Sequence, residues 1–148
     1  MVKKDYKLIL KENIKQLNLA KKHLEASFSR CQTLNIKKPK SEDDIIQFEA
    51  LTSRFTRAAD MLIHKVYRSI DAVELIEGGT LIDVINRAEK RNVIDSAITM
   101  RTIKDLRNDI AHEYIAECLR LLHEEVFSYV PILIDCINKA TDYSQRYL

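Results

Sequence analysis

The sequence predicts an all-α protein, because it is poor in turn residues and rich in helix formers. Its 148 residues include only two glycines and two prolines, too few for the turns that many strands would need. The composition is 46% hydrophobic and 31% charged, and apolar residues recur every three or four positions, the spacing of one helix face. We expect an antiparallel up-and-down helical bundle of four main helices plus one short helix, in a single domain spanning residues 1–148.

The first two predicted helices fill the first half of the chain. The first begins at Tyr6, and its apolar face is made by Leu10, Ile14, Leu17, Leu24, Phe28 and Cys31. Pro39 interrupts this pattern, and Ser41, followed by acidic residues at 42 to 44, is typical of a helix N-cap. The second helix keeps its apolar phase as far as Gly78 and Gly79, so it covers roughly 36 residues, on the order of 54 Å. Its apolar positions are Ile45, Phe48, Phe55, Ala59, Leu62, Val66, Ile70 and Val73.

Three further helices are predicted after the two glycines, which are expected to form the C-cap of the second helix. Thr80 is predicted to cap a short third helix that ends near Asn92, and Asp95 or Ser96 opens a fourth. The apolar positions of the fourth helix are Ala97, Ile98, Ile103, Leu106 and Ile110. The fifth follows almost without a linker, and its apolar positions are Ile115, Leu119, Leu122, Val126, Val130, Leu133, Ile137 and Ala140. Pro131 is expected to kink this last helix, because proline removes a backbone hydrogen bond.

The charge balance and the cysteines argue against several classes of protein. The formal net charge is +2, from 24 basic and 22 acidic residues, so any anion site must be local. Cys31, Cys118 and Cys136 stand far apart without metal-ligand spacing, so we expect core residues in a reducing cytosol, and neither a metal nor a cofactor. The first 16 residues lack the apolar segment of a signal peptide, and no apolar run reaches the roughly 18 residues of a membrane span. We therefore expect a cytoplasmic protein without a membrane anchor.

One stretch near the end of the fourth helix, RNDIAHEY at residues 107–114, carries an unusual density of polar groups. Arg107 and His112 are five residues apart, so on an ideal helix they point about 140° away from each other. The helical neighbours of His112 are Asn108 and Asp109. Two arrangements bring the arginine and the histidine together: the helix unwinds just before His112, or the two groups meet across a dimer.

The dimeric arrangement matters for chemistry. Cleavage of RNA by its own 2′-hydroxyl needs a base for that hydroxyl and an acid for the leaving 5′-oxygen, and twofold symmetry supplies two histidines. An arginine stabilises charge on the scissile phosphate, and the scheme requires no metal. From the residues alone, the commoner origin of such a cluster is a solvated helix face, with Tyr114 half-buried as a packing residue.

Other polar residues carry weaker signals. Arg101, Lys104 and Arg107 recur every three residues, which indicates either a track of phosphate contacts or a solvated face diluted by the neighbouring Asp105 and Asp109. Ordinary pairing along the second helix is expected among Glu49, Arg54, Arg57 and Asp60. Surface or structural roles are expected for His23, His64 and His123. Packing and partner contact remain open for Tyr129, Tyr143 and Tyr147.

The motif and its surroundings resemble a known family. Residues 107–114 fit R-x4-H-x-Y, and the second helix contains EALTSRFTRAADMLIHKVYRSID, followed by the short segment INRAEKRNVI, the helix that bears the motif and a closing helix. In this order and over essentially the whole chain, the sequence resembles the HEPN domain family, specifically the toxins of HEPN/minimal-nucleotidyltransferase toxin–antitoxin pairs.

The resemblance implies a homodimer of four-helix bundles whose two motifs face one another in a cleft and cleave RNA without a metal. It implies that Arg107 and His112 are the catalytic pair and that Asn108 is the polar residue that commonly follows the arginine. It also implies that a cognate nucleotidyltransferase antitoxin transfers AMP to Tyr114, adding bulk and negative charge beside the catalytic pair. Asp109 adds a carboxylate beside His112, and its role stays open between orienting the ring and capping a salt bridge.

Two readings from other classes compete with the ribonuclease. The first is a non-catalytic helical subunit that binds a nucleotidyltransferase or its substrate without cutting RNA. The second is a helical dimerisation module in which the polar cluster only terminates a helix. The complete pair of Arg107 and His112 favours catalysis, because a binding module has no need of both.

Overall fold

The protein is all-α over residues 5–148, which are the residues that the computed structural model describes, and no strand occurs among them. The α-helices are α1 (Tyr6–Cys31), α2 (Glu42–Asp60), α3 (Tyr67–Val73), α4 (Leu81–Lys90), α5 (Ala97–His112) and α6 (Ala116–Ser144). A π-helical segment, Met61–Val66, joins α2 to α3, and a 3-10 turn, Gln145–Tyr147, follows α6. The predicted all-α class is therefore confirmed for the described residues.

The beginning of the chain is partly described. Residues 1–4 lie outside the described residues. They are the basic start of the segment that the sequence predicts not to be a signal peptide. From Tyr6 onward this segment is α1, and the side chain of Asp5 caps it by accepting a hydrogen bond from the backbone N–H of Leu8. Within residues 5–148 no helix combines the length and the apolar character needed to cross a membrane.

The predicted second helix is one continuous helical run from Glu42 to Val73, but its middle is wound differently. In the π segment the N–H of Tyr67 bonds to the carbonyl of Leu62, five residues back instead of four. Such a turn accommodates an extra residue in the helix, and π turns occur frequently at functional sites. Apolar periodicity did not predict this segment, because its buried positions stay close to the helical phase on both sides.

Most of the predicted helix starts are confirmed by hydrogen bonds. Ser41 caps α2 by accepting from the N–H of Asp44. Thr80 caps α4 in a capping box with Asp83, and each residue's side chain accepts from the other's backbone N–H. Of the two residues proposed for the next helix, Ser96 is the N-cap of α5. Short polar side chains at these positions satisfy N–H groups that have no partner inside the helix.

The predicted end of the second helix was wrong. The helix stops at Val73, and Leu75 takes the left-handed backbone conformation (φ 62°) at its end. Gly78 and Gly79 also have positive φ (70° and 92°), but they lie past the end of the helix and do not cap it. Backbone hydrogen bonds from Leu75 and the residue after it to carbonyls of the last turn close the helix here. Ion pairs from α4, described below, hold the same turn. The predicted end of the short helix near Asn92 is confirmed, since α4 ends at Lys90 and Asn92 has the left-handed conformation (φ 61°).

The buried apolar side chains form one cluster, to which the described helices contribute. α1, α6 and the run from α2 to α3 pack against one another, and α5 packs against α2, α4 and α6. The predicted apolar faces are mostly buried, and Phe28 packs half-buried against Phe127 with ring centroids 4.9 Å apart. The prediction was wrong at Ile45, Ile98 and Ile115, which are 36%, 73% and 63% exposed because they lie near helix starts at the edge of the core.

Two further predictions concern α6 and the cysteines. Pro131 lies on the exposed side of α6 and does not end the helix, which runs on to Ser144. Cys31 and Cys136 are buried, as predicted for core residues, and Cys118 is half-buried. Burial raises the pKa of the Cys31 thiol to about 11 and that of Cys136 to about 12, so both thiols stay protonated at neutral pH.

A network of ion pairs fastens α4 to the end of α3. The guanidinium of Arg91 contacts Asp71 at 2.7 Å and Glu74 at 3.0 Å. Arg87 holds the other carboxylate oxygen of Asp71, at 2.8 Å. The hydroxyl groups of Tyr143 and Tyr147 both donate to Glu74, so these two tyrosines are packing residues that tie the C-terminal end into the same network.

Candidate functional site

Arg107 is held by a carboxylate from another helix. Its Nε lies 2.9 Å from Oδ1 and 3.2 Å from Oδ2 of Asp60, and its Nη2 lies 3.0 Å from Oδ2. Asp60 is the last residue of α2. Its side chain is 35% exposed, and that of Arg107 is 33% exposed. The expected pairing of Asp60 along its own helix was therefore wrong. Arg54 instead donates to the carbonyl of His23 and the hydroxyl of Ser27 on α1.

This ion pair lines a polar cavity of about 220 Å³ where α2, the π segment, α4 and α5 meet. The lining residues are Ala59, Asp60, Ile63, His64, Leu81, Lys104, Arg107 and Asn108. The structure thus brings together three residues that the sequence singled out, Lys104, Arg107 and Asn108. Arg101 is exposed and does not line the cavity. Lys104 has its nearest carboxylate, Asp105, 3.6 Å away, and Asp105 is 69% exposed.

His112 and Tyr114 lie beyond the cavity, at the end of α5. His112 is the last residue of α5 and is exposed, and Glu113 leaves the helix in an extended conformation (φ −93°, ψ 127°). Of the two arrangements considered for Arg107 and His112, unwinding of the helix near Ala111 does not occur, because α5 keeps its winding through His112. Within one protomer Arg107 lines the polar cavity and His112 does not.

The turn after α5 presents Tyr114 to solvent. Its side chain is 87% exposed, so the alternative of a half-buried packing tyrosine was wrong. The carboxylate of Glu113 accepts hydrogen bonds from the N–H groups of Tyr114 and Ile115, and this shapes the turn into α6. The side chain of Asp109 is exposed and forms no hydrogen bond or ion pair with another residue in the range 5–148, so neither role considered for it appears within the chain.

Sequence reasoning missed two residues of the cavity, Asp60 and His64. They are four residues apart on the longest helical run, which places them on one face. That spacing is the only local signal, and it is weak because a charged residue and a histidine on one face are common on solvated helices. His64 is exposed, as the surface assignment predicted, yet it lines the same cavity as Arg107.

A second, mostly apolar cavity of about 230 Å³ lies between the starts of α2 and α6. Its lining residues are Pro39, Ile45, Phe48, Glu49, Ala116, Leu119, Arg120 and His123. His123 is 8% exposed, and its ring centroid lies 6.4 Å from that of Phe48. Burial lowers the pKa of His123, and the charge of Glu49 offsets part of this effect. His123 is thus a structural histidine, as predicted.

A scan against protein-family models found no matching family, and searches of curated proteins and of solved structures found no match. Any function therefore has to be inferred from the side chains of α5 and the groups they contact.

Proposed function

We propose that this protein is a metal-independent endoribonuclease of the HEPN type, the toxin of a type VII-like toxin–antitoxin pair. In this proposal two copies of the chain, each an antiparallel up-and-down helical bundle, form a homodimer that acts on RNA in the cytoplasm. The observation that carries the proposal is the exposure of the motif: Arg107 faces a polar cavity, and His112 and Tyr114 reach solvent at the end of the same helix. Termination of a helix alone would require neither an arginine at a polar cavity nor an exposed histidine and tyrosine.

The proposed reaction is attack of the RNA 2′-oxygen on the adjacent phosphorus. The bond from phosphorus to the 5′-oxygen breaks, and the products are a 2′,3′-cyclic phosphate and a free 5′-hydroxyl. One histidine takes the proton of the 2′-hydroxyl, and a second gives a proton to the departing 5′-oxygen. Since each chain offers one motif histidine, His112 of a second copy supplies the other.

The charged groups of the cavity suit a phosphate. The guanidinium of Arg107 presents planar N–H groups, which match the oxygens of a phosphate that gains charge in the transition state. Lys104 adds a second positive charge on the same side of α5, and its nearest carboxylate is well exposed. Asn108 supplies a neutral hydrogen-bonding group at the cavity.

Tyr114 is the proposed point of control. Its hydroxyl would attack the α-phosphorus of ATP bound to the antitoxin, lose its proton, and release pyrophosphate, leaving AMP on the tyrosine. An acceptor hydroxyl must be accessible to a second protein, and Tyr114 is 87% exposed. The added phosphate would repel the RNA backbone from the neighbouring histidine.

The direct test is RNA cleavage by purified wild type and His112→Ala in the presence of EDTA. The probes are total cellular RNA and a fluorescently labelled RNA oligonucleotide of mixed sequence, with the product ends analysed for cyclic phosphate. Wild type should cut and His112→Ala should not, while both keep the same helicity and oligomeric state. His23→Ala, which removes an exposed histidine on α1, is the matched control and should cut like wild type. Absence of cleavage by wild type, or equal cleavage by His112→Ala, would reject the proposal.

A non-catalytic partner of a nucleotidyltransferase is the second candidate. The observation that favours it is the pairing of Arg107 with Asp60, since an arginine already bound to a carboxylate has a structural explanation. In that case the exposed Tyr114 and Ile115 form a contact surface. Binding of a minimal nucleotidyltransferase by both wild type and His112→Ala, with no RNA cleavage by either, would favour this candidate.

A further inference from the structure

We propose that Asp60 is the positioning residue of Arg107 in RNA cleavage, an inference that rests on the proposed ribonuclease function. Asp60 itself would not contact the RNA. Its carboxylate would hold the guanidinium in the orientation in which the remaining N–H groups meet the scissile phosphate.

The hydrogen bonds distinguish the two edges of the guanidinium. Asp60 takes the side edge, because its oxygens accept from Nε at 2.9 Å and from Nη2 at 3.0 Å. Nη1 donates no hydrogen bond to any residue in the described range 5–148. The end edge, formed by Nη1 and the outer hydrogen of Nη2, is therefore available to a phosphate while the side edge stays bound. An arginine can serve two planar acceptors in this way because its N–H groups point in fixed directions.

Position in the fold supports a positioning role. Asp60 is the last residue before the π segment. Two residues of that segment, Ile63 and His64, line the cavity beside Arg107. Arg107 lies on α5, so the ion pair joins two helices that line the cavity. Without Asp60 the long side chain of Arg107 would sample many rotamers, and the guanidinium would lose its fixed direction.

The ion pair between Asp60 and Arg107 contributes little to folding, so an effect of Asp60 on catalysis can be distinguished from an effect on stability. Both side chains are about one third exposed, and ion pairs with that much contact with water add little to stability. Removing Asp60 should therefore leave the protein folded. It also removes a negative charge from the cavity, so RNA should bind at least as tightly as before. Loss of orientation then appears as a lower kcat with an unchanged or lower KM.

The experiment compares steady-state cleavage of the labelled RNA oligonucleotide by wild type, Asp60→Asn and Asp60→Glu in EDTA, with thermal unfolding measured in parallel. Asp60→Asn should lower kcat roughly 10- to 100-fold, because misplacement of a catalytic group by about 1 Å has effects of this size. Asp60→Glu, which keeps the carboxylate, should recover part of the rate. The matched control is Asp43→Asn, which removes an exposed carboxylate from the same helix, one that forms no ion pair in the described part of the chain.

A double substitution tests whether Asp60 acts through Arg107. In an Arg107→Lys background the side chain keeps its charge but loses the planar edges, so there is no orientation left for Asp60 to maintain. Adding Asp60→Asn there should change kcat by no more than about twofold. An effect as large as in the wild-type background would show that Asp60 acts on something else and would overturn the inference.

The outcomes separate the inference from the proposed function. If His112→Ala is inactive but Asp60→Asn has the kcat of Asp43→Asn, the positioning role is overturned and the ribonuclease stands. A higher kcat for Asp60→Asn would also overturn it, since Asp60 would then restrain Arg107. If wild type cuts no RNA, or His112→Ala cuts as fast as wild type, the proposed function fails and the role of Asp60 fails with it.

Discussion

Replacing Arg91 with methionine tests the ion-pair network that fastens α4 to α3. The side chain of Arg91 is 9% exposed and that of Asp71 is 5% exposed, so the carboxylate of Asp71 would lose a partner in a place where water cannot replace it. α4 begins at Leu81, which lines the polar cavity, so the network also holds one wall of the candidate site.

The size of the effect follows from what remains after the substitution. Removing one partner of a buried ion pair typically costs about 3–5 kcal/mol, because a charge is left uncompensated. Asp71 keeps its contact with Arg87 at 2.8 Å, and Glu74 keeps the two tyrosine hydroxyls. We therefore expect the lower end, about 3 kcal/mol, which for a chain of this length lowers the unfolding temperature by about 10 °C.

Urea denaturation followed by circular dichroism measures the change in the free energy of unfolding. The control is Lys139→Met, since Lys139 pairs with Asp95 and Asp135, which are 83% and 56% exposed, and its loss should have little effect on the free energy of unfolding. The reasoning is refuted if Arg91→Met costs no more than Lys139→Met.

Three further predictions concern pH and Tyr114. Burial alone would raise the pKa of Glu74, but hydrogen bonds from the two tyrosines and from Arg91 lower it overall. Its contribution to stability is therefore present above the unfolded pKa of about 4.3 and is lost as the pH falls below it. Tyr147→Phe should make this loss shallower in acid denaturation, and an unchanged slope would contradict the assignment. Because burial lowers the pKa of His123, the unfolded chain takes up its proton first, so stability should begin to fall below about pH 6.5. His123→Gln should remove that slope in urea titrations at pH 7.5 and 5.5, and a slope shared by both proteins would point to another group. Tyr114→Phe should still cut RNA but should accept no AMP from a nucleotidyltransferase, as measured by intact mass, and AMP on the variant would place the acceptor elsewhere.

Local chemistry explains what could be predicted of the fold. The helix starts at Ser41, Thr80 and Ser96 depend on a side chain and an N–H group two or three residues away, so they can be read from the sequence. The end of the second helix could not be read in this way. The chain leaves the helix after Val73, where no glycine or proline stands, and Leu75 adopts the left-handed conformation (φ 62°). Asp71 and Glu74, beside this end, bind α4 through contacts that join residues 16 to 17 positions apart.

The candidate site was likewise determined in part by the sequence and in part by the tertiary structure. The sequence alone determined that the chain is all-α and that a cluster of polar side chains, within residues 107–114, stands at the end of one helix. Tertiary structure decided that Arg107 meets Asp60, which lies 47 residues away, and that the π segment and the start of α4 close a cavity around them. The physical reason is that side chains 47 residues apart meet only where the packing of the shared apolar core brings α2 and α5 together, and no local pattern of residues encodes that crossing.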